Sequence, residues 1–181
     1  MITRADVAAF EECISGGGVV VFPTDTLYGL GCHPEDTAAV ARVYELKGRA
    51  PEKPSAVMYF SIEDLPPVGE RTRAALAQLL PGPVLVVLPG GAGVRVPDVE
   101  AFAGVSVAVM QTSANLAGGP DPRRLADVPE SIRAGADLVL DGGELPGVPS
   151  TVVDLTGYED GGWKVLREGA VSEERLSALL G

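Results

Sequence analysis

Short runs of apolar, β-branched residues recur along the chain and predict a sheet. The first, VVVF at 19–22, ends at Pro23 and is typical of a strand that is buried on both faces. The other candidate strands have the same character: SAVMYF (55–60), VLVVL (84–88), VRV (94–96), VAVM (107–110), LVL (138–140), TVVDL (151–155) and WKVL (163–166). Because the strands outnumber the helices and do not alternate strictly with them, we expect an α/β fold with a twisted, mixed sheet flanked by helices.

Segments whose apolar residues recur at helical spacing lie between several of these predicted strands. After a capping Thr3, the apolar residues Val7, Phe10 and Ile14 recur at intervals of three and four residues. Gly48 stands where a left-handed cap would end a second helix. That second helix begins at Pro34, and the remaining predicted helices cover 70–80 and 129–134 and follow a capping Ser172.

Three polar segments are candidates for a binding site. PTDTLYGLG (23–31), interpreted as a polar glycine-bearing loop, and TSANLAGG (112–119) each follow an apolar strand, where ligand-binding loops are common. KGRAPEK (47–53) places three cations in seven residues. Each segment alone also fits a structural interpretation, because cations stabilise helix C-termini and Ser, Asn and Gly favour turns.

Composition narrows the class of protein. The length of 181 residues and the 46% hydrophobic content suit one domain over residues 1–181. Lys and Arg number 14 against 25 Asp and Glu, and a net charge of −11 opposes a broad surface for nucleic-acid phosphates. No apolar run is long enough to cross a membrane and the two cysteines form no disulfide framework, so we expect a soluble, cytoplasmic protein.

Together, the ordered segments resemble the YrdC/TsaC family, the threonylcarbamoyl-adenylate synthases. The resemblance runs from about residue 16 to residue 172 and rests on PTDTLYGLG, KGR followed by KP, LLPGPVLVVL, VRVP, TSANLAGG, PSTVVDL and LREGAV. It implies a YrdC-like fold with an open concave cleft. It also implies synthesis of threonylcarbamoyl-AMP and pyrophosphate from L-threonine, bicarbonate or CO2, and ATP. The product would pass to a tRNA threonylcarbamoyl-transferase complex that modifies adenosine 37 of tRNA.

The same resemblance implies a role for particular residues. The catalytic set would be the K-x-R and S-x-N pairs, Lys47, Arg49, Ser113 and Asn115, which with Lys53 and Arg167 would also bind ATP. Threonine would be bound by Thr26, Arg95, Gln111 and Ser150. Mg²⁺ would be held through the phosphates of ATP, without a metal site built from protein side chains.

Some residues depart from the family pattern, and two other functions stay open. Leu85 stands where the family commonly has threonine, Ala50 replaces a proline, and Met58 also differs. One alternative is a module without synthase activity that binds double-stranded RNA or tRNA or associates with the ribosome, provided that the few cations line one concavity. Another is a different carbamoyl or acyl-adenylate reaction on the same fold.

Overall fold

A computed structural model describes residues 1–48 and 55–181. Within these ranges nine strands form one sheet: β1 (Val20–Pro23), β2 (Tyr28–Cys32), β3 (Ala56–Met58), β4 (Val84–Val87), β5 (Gly93–Arg95), β6 (Val109–Ser113), β7 (Leu138–Val139), β8 (Thr151–Asp154) and β9 (Lys164–Arg167). Their order across the sheet is β7-β1-β2-β6-β3-β5-β4-β8-β9. The pairs β1–β7, β3–β5 and β4–β8 are parallel and the others antiparallel, which confirms the predicted mixed sheet.

Helices cover the sheet. Those of the described residues are α1 (Arg4–Ser15), α2 (Thr37–Lys47), α3 (Glu70–Leu79), α4 (Glu130–Gly135) and α5 (Glu173–Leu180), with short 3-10 turns at Ile62–Asp64, Glu100–Phe102, Leu125–Asp127 and Tyr158–Asp160. In those same ranges, none of the helices is both long and apolar enough to cross a membrane.

The apolar residues form three clusters that hold the helices against the strands. One joins α3 and α5 to β4, β5 and β8; another joins α2 and α4 to β1, β2 and β6. The third surrounds Phe10 of α1. The centroid of its ring lies 5.1 Å from the ring centroids of Phe22 and Phe102. Along the first strand, Val20 packs in the Phe10 cluster and Val21 packs with α2 and α4. The strand is therefore buried on both faces, as predicted.

Helix ends follow the local sequence. Thr3 and Asp6 form a capping box at the start of α1, where the backbone N–H of Asp6 donates to Thr3 Oγ1 at 3.2 Å. Gly48 ends α2 with φ 58° and ψ 38°, the left-handed conformation that glycine adopts without steric cost. Both caps were predicted, and the second fixes the position of Lys47, the last residue of α2.

Two boundaries differ from the prediction in ways that concern the candidate site. The loop interpretation of PTDTLYGLG is correct for residues 24–27 but wrong from Tyr28, where β2 begins. In β2, Tyr28, Leu30 and Cys32 alternate with glycines, and all five residues are buried. The strand that precedes TSANLAGG continues through Ser113, because Gly29 and Leu30 pair with Ser113 and Thr112. The first two residues of that supposed loop therefore lie in the sheet.

Candidate active site

A cavity of about 250 Å³ opens on one face of the sheet. Leu85 of β4 and Val152 of β8 line it, whereas Val84, Val86 and Val153 pack with α3 and α5. Because successive side chains of a strand point to opposite faces, the cavity lies on the face of β4 and β8 away from these two helices. The open concave cleft that the resemblance implied thus has a counterpart in the fold.

The four predicted threonine-binding residues all line this cavity. Thr26 follows β1, Arg95 ends β5, Gln111 lies in β6 and Ser150 precedes β8. Their exposed fractions are 2%, 4%, 8% and 5%, in that order. Polar side chains are rarely buried to this extent without a partner, so their convergence on one cavity marks it as a candidate ligand site.

Arg95 is held by contacts with the loop that follows β1. Its Nη2 donates to Thr26 Oγ1 at 2.9 Å and forms a short contact with Asp25 Oδ1. Burial lowers the pKa of Arg95, the negative charge of Asp25 raises this pKa, and the positive charge of Arg167 lowers it further. Nε is buried and has no hydrogen-bond partner among the described residues. The guanidinium therefore retains a donor.

The loop of Thr26 is held by its own hydroxyl groups. Thr24 Oγ1 donates to the carbonyl of Leu27 at 2.8 Å, lies 3.1 Å from Thr26 Oγ1 and accepts the backbone N–H of Thr26 at 3.2 Å. These contacts join residues 24–27 into a compact turn at the cavity wall. Thr24 also lines the cavity.

Arg167 approaches the cavity from the last strand. Its Nη2 donates to the carbonyl of Ser150 at 2.8 Å, and the backbone N–H of Ala170 donates to the carbonyl of Pro149 at 2.9 Å. The segment after β9 therefore packs along the residues that lead into β8. Arg167 is exposed, lines the cavity and adds a second guanidinium to that of Arg95.

The K-x-R and S-x-N pairs are described only in part. Lys47, at 3% exposure, donates through Nζ to the backbone oxygen of Asn115 at 2.6 Å and to its Oδ1 at 3.1 Å, and also contacts the backbone oxygen of Ser113. Ser113 Oγ donates to Asn115 Oδ1 at 2.7 Å. These residues line a neighbouring cavity of about 330 Å³, which shares Thr112 and Ser113 with the first. Arg49, Lys53 and Ala50 lie outside the described residues.

Tyr28 supports the far side of the site. It begins β2 and lines the cavity, and its hydroxyl donates to Asp141 Oδ1 at 2.9 Å and to the carbonyl of Gly143 at 2.8 Å. Burial, followed by the hydrogen bond to Asp141, raises the pKa of Tyr28 to about 12. The hydroxyl is therefore neutral at ordinary pH and fixes the turn at residues 141–143.

Sequence reasoning missed some lining residues. Asp121 and Pro149 line the first cavity, and neither received a role. Pro149 could have been found from the sequence, because it immediately precedes Ser150, which was assigned to threonine binding. Asp121 follows a stretch of glycine and proline that resembles an ordinary surface turn, so only the folded arrangement reveals it.

Comparison with known proteins identifies the family of the chain. The model of the Sua5/YciO/YrdC family, described as "Telomere recombination", matches residues 12–169. The chain belongs to the Sua5/YciO/YrdC family. The threonylcarbamoyl-AMP synthase of Pyrococcus abyssi is 33% identical over 93% of this chain and 55% of that protein. The enzyme of the same name from Xanthomonas axonopodis pv. citri is 33% identical over 78% of this chain and 88% of its own length.

A solved structure from the same family extends the likeness to the fold. The crystal structure of P. abyssi Sua5 complexed with L-threonine has a TM-score of 0.89 and 31% identity, and the match covers 100% of this chain and 59% of that one. The chain thus spans little more than half the length of the Pyrococcus protein. The α/β fold with a large mixed sheet, predicted from the apolar pattern, is confirmed as a Sua5/YciO/YrdC fold.

Proposed function

We propose that this chain is a threonylcarbamoyl-AMP synthase. In this reaction the amino group of L-threonine combines with bicarbonate, with loss of water, to form a carbamate. A carbamate oxygen then attacks the α-phosphorus of ATP, and pyrophosphate leaves. The observation that carries the proposal is the convergence of Thr26, Arg95, Gln111 and Ser150 on one cavity, in a family whose member P. abyssi Sua5 has a structure with L-threonine.

The cavity offers the groups that threonine requires. An unused guanidinium donor on Arg95 suits the carboxylate, because Arg binds planar anions with directed hydrogen bonds. The hydroxyl of Ser150 and the amide of Gln111 are polar partners for the amino and hydroxyl groups. Leu85 and Val152 supply apolar surface for the methyl group, which adds discrimination against serine of only ~1 to 3 kcal/mol.

ATP would occupy the adjoining space along the end of β6. We assign the phosphates to Ser113, Asn115 and Arg167, together with Arg49 and Lys53. Lys47 belongs to this set indirectly. Its ammonium donates to oxygens of Asn115 and so holds the loop that carries the S-x-N pair. Cations are needed there because negative charge moves onto the departing pyrophosphate, and a preorganised cation stabilises that charge in the transition state.

Mg²⁺ fits this assignment as a companion of the nucleotide. Mg²⁺ commonly uses one or two carboxylates plus phosphate oxygens, and Asp121 presents an exposed carboxylate to the cavity. In residues 1–48 and 55–181, no group of three or more His, Cys, Asp or Glu side chains is arranged to hold a metal ion. When bound, Mg²⁺ would neutralise charge on the phosphates. The protein's own part is to orient the two substrates and to keep water from the labile carbamate.

The proposal is tested by measuring threonylcarbamoyl-AMP by mass spectrometry while omitting ATP, L-threonine or bicarbonate in turn. We expect product only when all three are present. Arg167→Met should lower the rate more than about tenfold, because a charged hydrogen bond contributes ~1.5 to 3 kcal/mol. The matched control is Arg175→Met on α5, an exposed arginine outside the cavity, which should keep the wild-type rate.

Other outcomes identify the alternatives. Product that forms without threonine would contradict the proposal and indicate another carbamoyl or acyl-adenylate reaction. No product under any condition, with salt-sensitive binding of double-stranded RNA, would favour an RNA-binding role. The downstream transfer is tested by adding a tRNA threonylcarbamoyl-transferase complex and measuring modified adenosine 37, which should appear only with active synthase.

A further inference from the structure

Asp25 lies behind the cavity wall. It belongs to the loop between β1 and β2, its side chain is 9% exposed, and it is not among the residues that line the cavity. One carboxylate oxygen contacts Arg95 Nη2, and the other accepts the backbone N–H of Asp98 at 3.1 Å. Both oxygens are therefore engaged with protein groups.

The contacts of Arg95 are one-sided. Its Nη2 serves both Asp25 and Thr26, whereas its Nε has no hydrogen-bond partner within the described part of the chain. Arg95 is 4% exposed and lines the cavity. A buried donor without a protein partner indicates a group that a ligand completes, because an unsatisfied buried donor is costly.

The same ion pair restrains a flexible side chain. Arginine has several rotatable bonds, and a carboxylate ligand requires the guanidinium plane to be in one orientation. Asp25 is fixed in turn by Asp98, which lies three residues beyond Arg95 on the segment that leaves β5. The orientation of Arg95, at the end of β5, is thus set by its contact with Asp25, in the loop between β1 and β2.

We propose that Asp25 is a positioning residue that holds the guanidinium of Arg95 in the orientation that receives the carboxylate of the amino-acid substrate. The proposal rests on the proposed function for the identity of that substrate. In this proposal Asp25 acts through Arg95 and does not itself contact the substrate. Without the carboxylate of Asp25, Arg95 loses its anionic partner and turns, so the site binds the amino acid less tightly while the nucleotide site is unaffected.

Asp25→Asn is the informative variant because it keeps the shape and removes the charge. We expect the KM for L-threonine to rise about 10- to 100-fold, which corresponds to one lost charged hydrogen bond, and the KM for ATP to stay within about twofold. The matched control is Asp98→Asn. Its side chain is exposed and only its backbone contacts Asp25, so it makes the same charge change nearby and should leave both constants unchanged.

A double-mutant cycle separates positioning from general destabilisation. If Asp25 acts through Arg95, adding Asp25→Asn to Arg95→Met should change the KM for threonine by less than about twofold. Additive effects, or an equal rise in the KM for ATP and for threonine, would overturn the proposal.

A structural measurement keeps this proposal distinct from the proposed function. Proton exchange at Nε of Arg95, followed by NMR in the absence of substrates, should be faster in Asp25→Asn than in wild type. Faster exchange in a protein that makes no threonylcarbamoyl-AMP would overturn the function and support the positioning. Unchanged exchange with an unchanged KM for threonine would overturn the positioning and leave the function standing.

Discussion

Replacing Lys47 by methionine removes an ammonium group that ties α2 to the end of β6. In the folded protein Nζ donates to the backbone oxygens of Ser113 and Asn115 and to Asn115 Oδ1, with Lys47 at 3% exposure. Each charged hydrogen bond contributes ~1.5 to 3 kcal/mol, but water at the adjoining cavity replaces part of them. We therefore expect Lys47→Met to lower the free energy of unfolding by about 2 to 4 kcal/mol.

The same change should also weaken ATP binding. Ser113 and Asn115 depend on Lys47 for their position, so a looser loop presents their side chains less often in the binding conformation. Urea denaturation measures the stability, and titration calorimetry with a non-hydrolysable ATP analogue measures the affinity. The control is Lys164→Met, whose Nζ lies 3.5 Å from Asp154 with the lysine side chain 67% exposed. That variant should lose less than about 1 kcal/mol.

The two measurements together decide the role of Lys47. If Lys47→Met were as stable as Lys164→Met but lost ATP affinity, the lysine would act on the nucleotide directly and the reasoning from its backbone contacts would be wrong. If it lost stability and kept its affinity, the loop would not set the nucleotide site. If Lys47→Met lost neither stability nor ATP affinity, both parts of the prediction would be refuted.

Two further predictions concern local structure. Gly48→Ala should lower the free energy of unfolding by about 1 kcal/mol, because Gly48 is in the left-handed region at the end of α2, and Gly48→Asn should lower it less; urea denaturation of the three proteins checks this ranking. Between pH 10 and 12, wild type should lose ~2 kcal/mol more stability than Tyr28→Phe. The sign follows because the folded state holds the Tyr28 proton up to about pH 12 whereas the unfolded state releases it near pH 10, and parallel stability curves for the two proteins would contradict it.

The sequence predicts the sheet well where one signal dominates. VVVF identifies a doubly buried strand, and the position of Gly48 predicts the end of α2. The apolar pattern fails for strand β2, which was interpreted as a loop. Its glycines suggest a loop, yet a Cβ atom on Gly31 would lie 2.6 Å from Val109 Cγ1 and 2.9 Å from the backbone oxygen of Met110 on β6. Glycine is needed there by packing across the sheet, which no local pattern reveals.

The candidate site is only partly accessible from sequence for a similar reason. Thr26, Arg95, Gln111 and Ser150 were assigned through a family resemblance, and the fold does bring them to one cavity. The contact between Asp25 and Arg95 joins residues 70 positions apart, and nothing in the sequence around either residue indicates the other. Such a pair follows from the order of the strands and not from any spacing along the chain.

The strand order also shows where this ion pair lies in the sheet. The parallel pair β3–β5 joins the part of the sheet formed by β7, β1, β2 and β6 to the part formed by β4, β8 and β9. Among the described residues, this joint has two paired positions, Val57 with Val94 and Met58 with Arg95. Asp25 follows β1 on one side of the joint and Arg95 ends β5 on the other, so their contact crosses it.

The cavity depends on the same joint. Thr26 and Gln111 belong to the part that contains β1 and β6, whereas Ser150 and Arg167 belong to the part that contains β8 and β9. A small ligand reaches residues from both parts only while the two stay in register. The contact between Asp25 and Arg95 therefore spans the two parts of the sheet at the cavity, beside the paired positions of β3 and β5 that hold them in register.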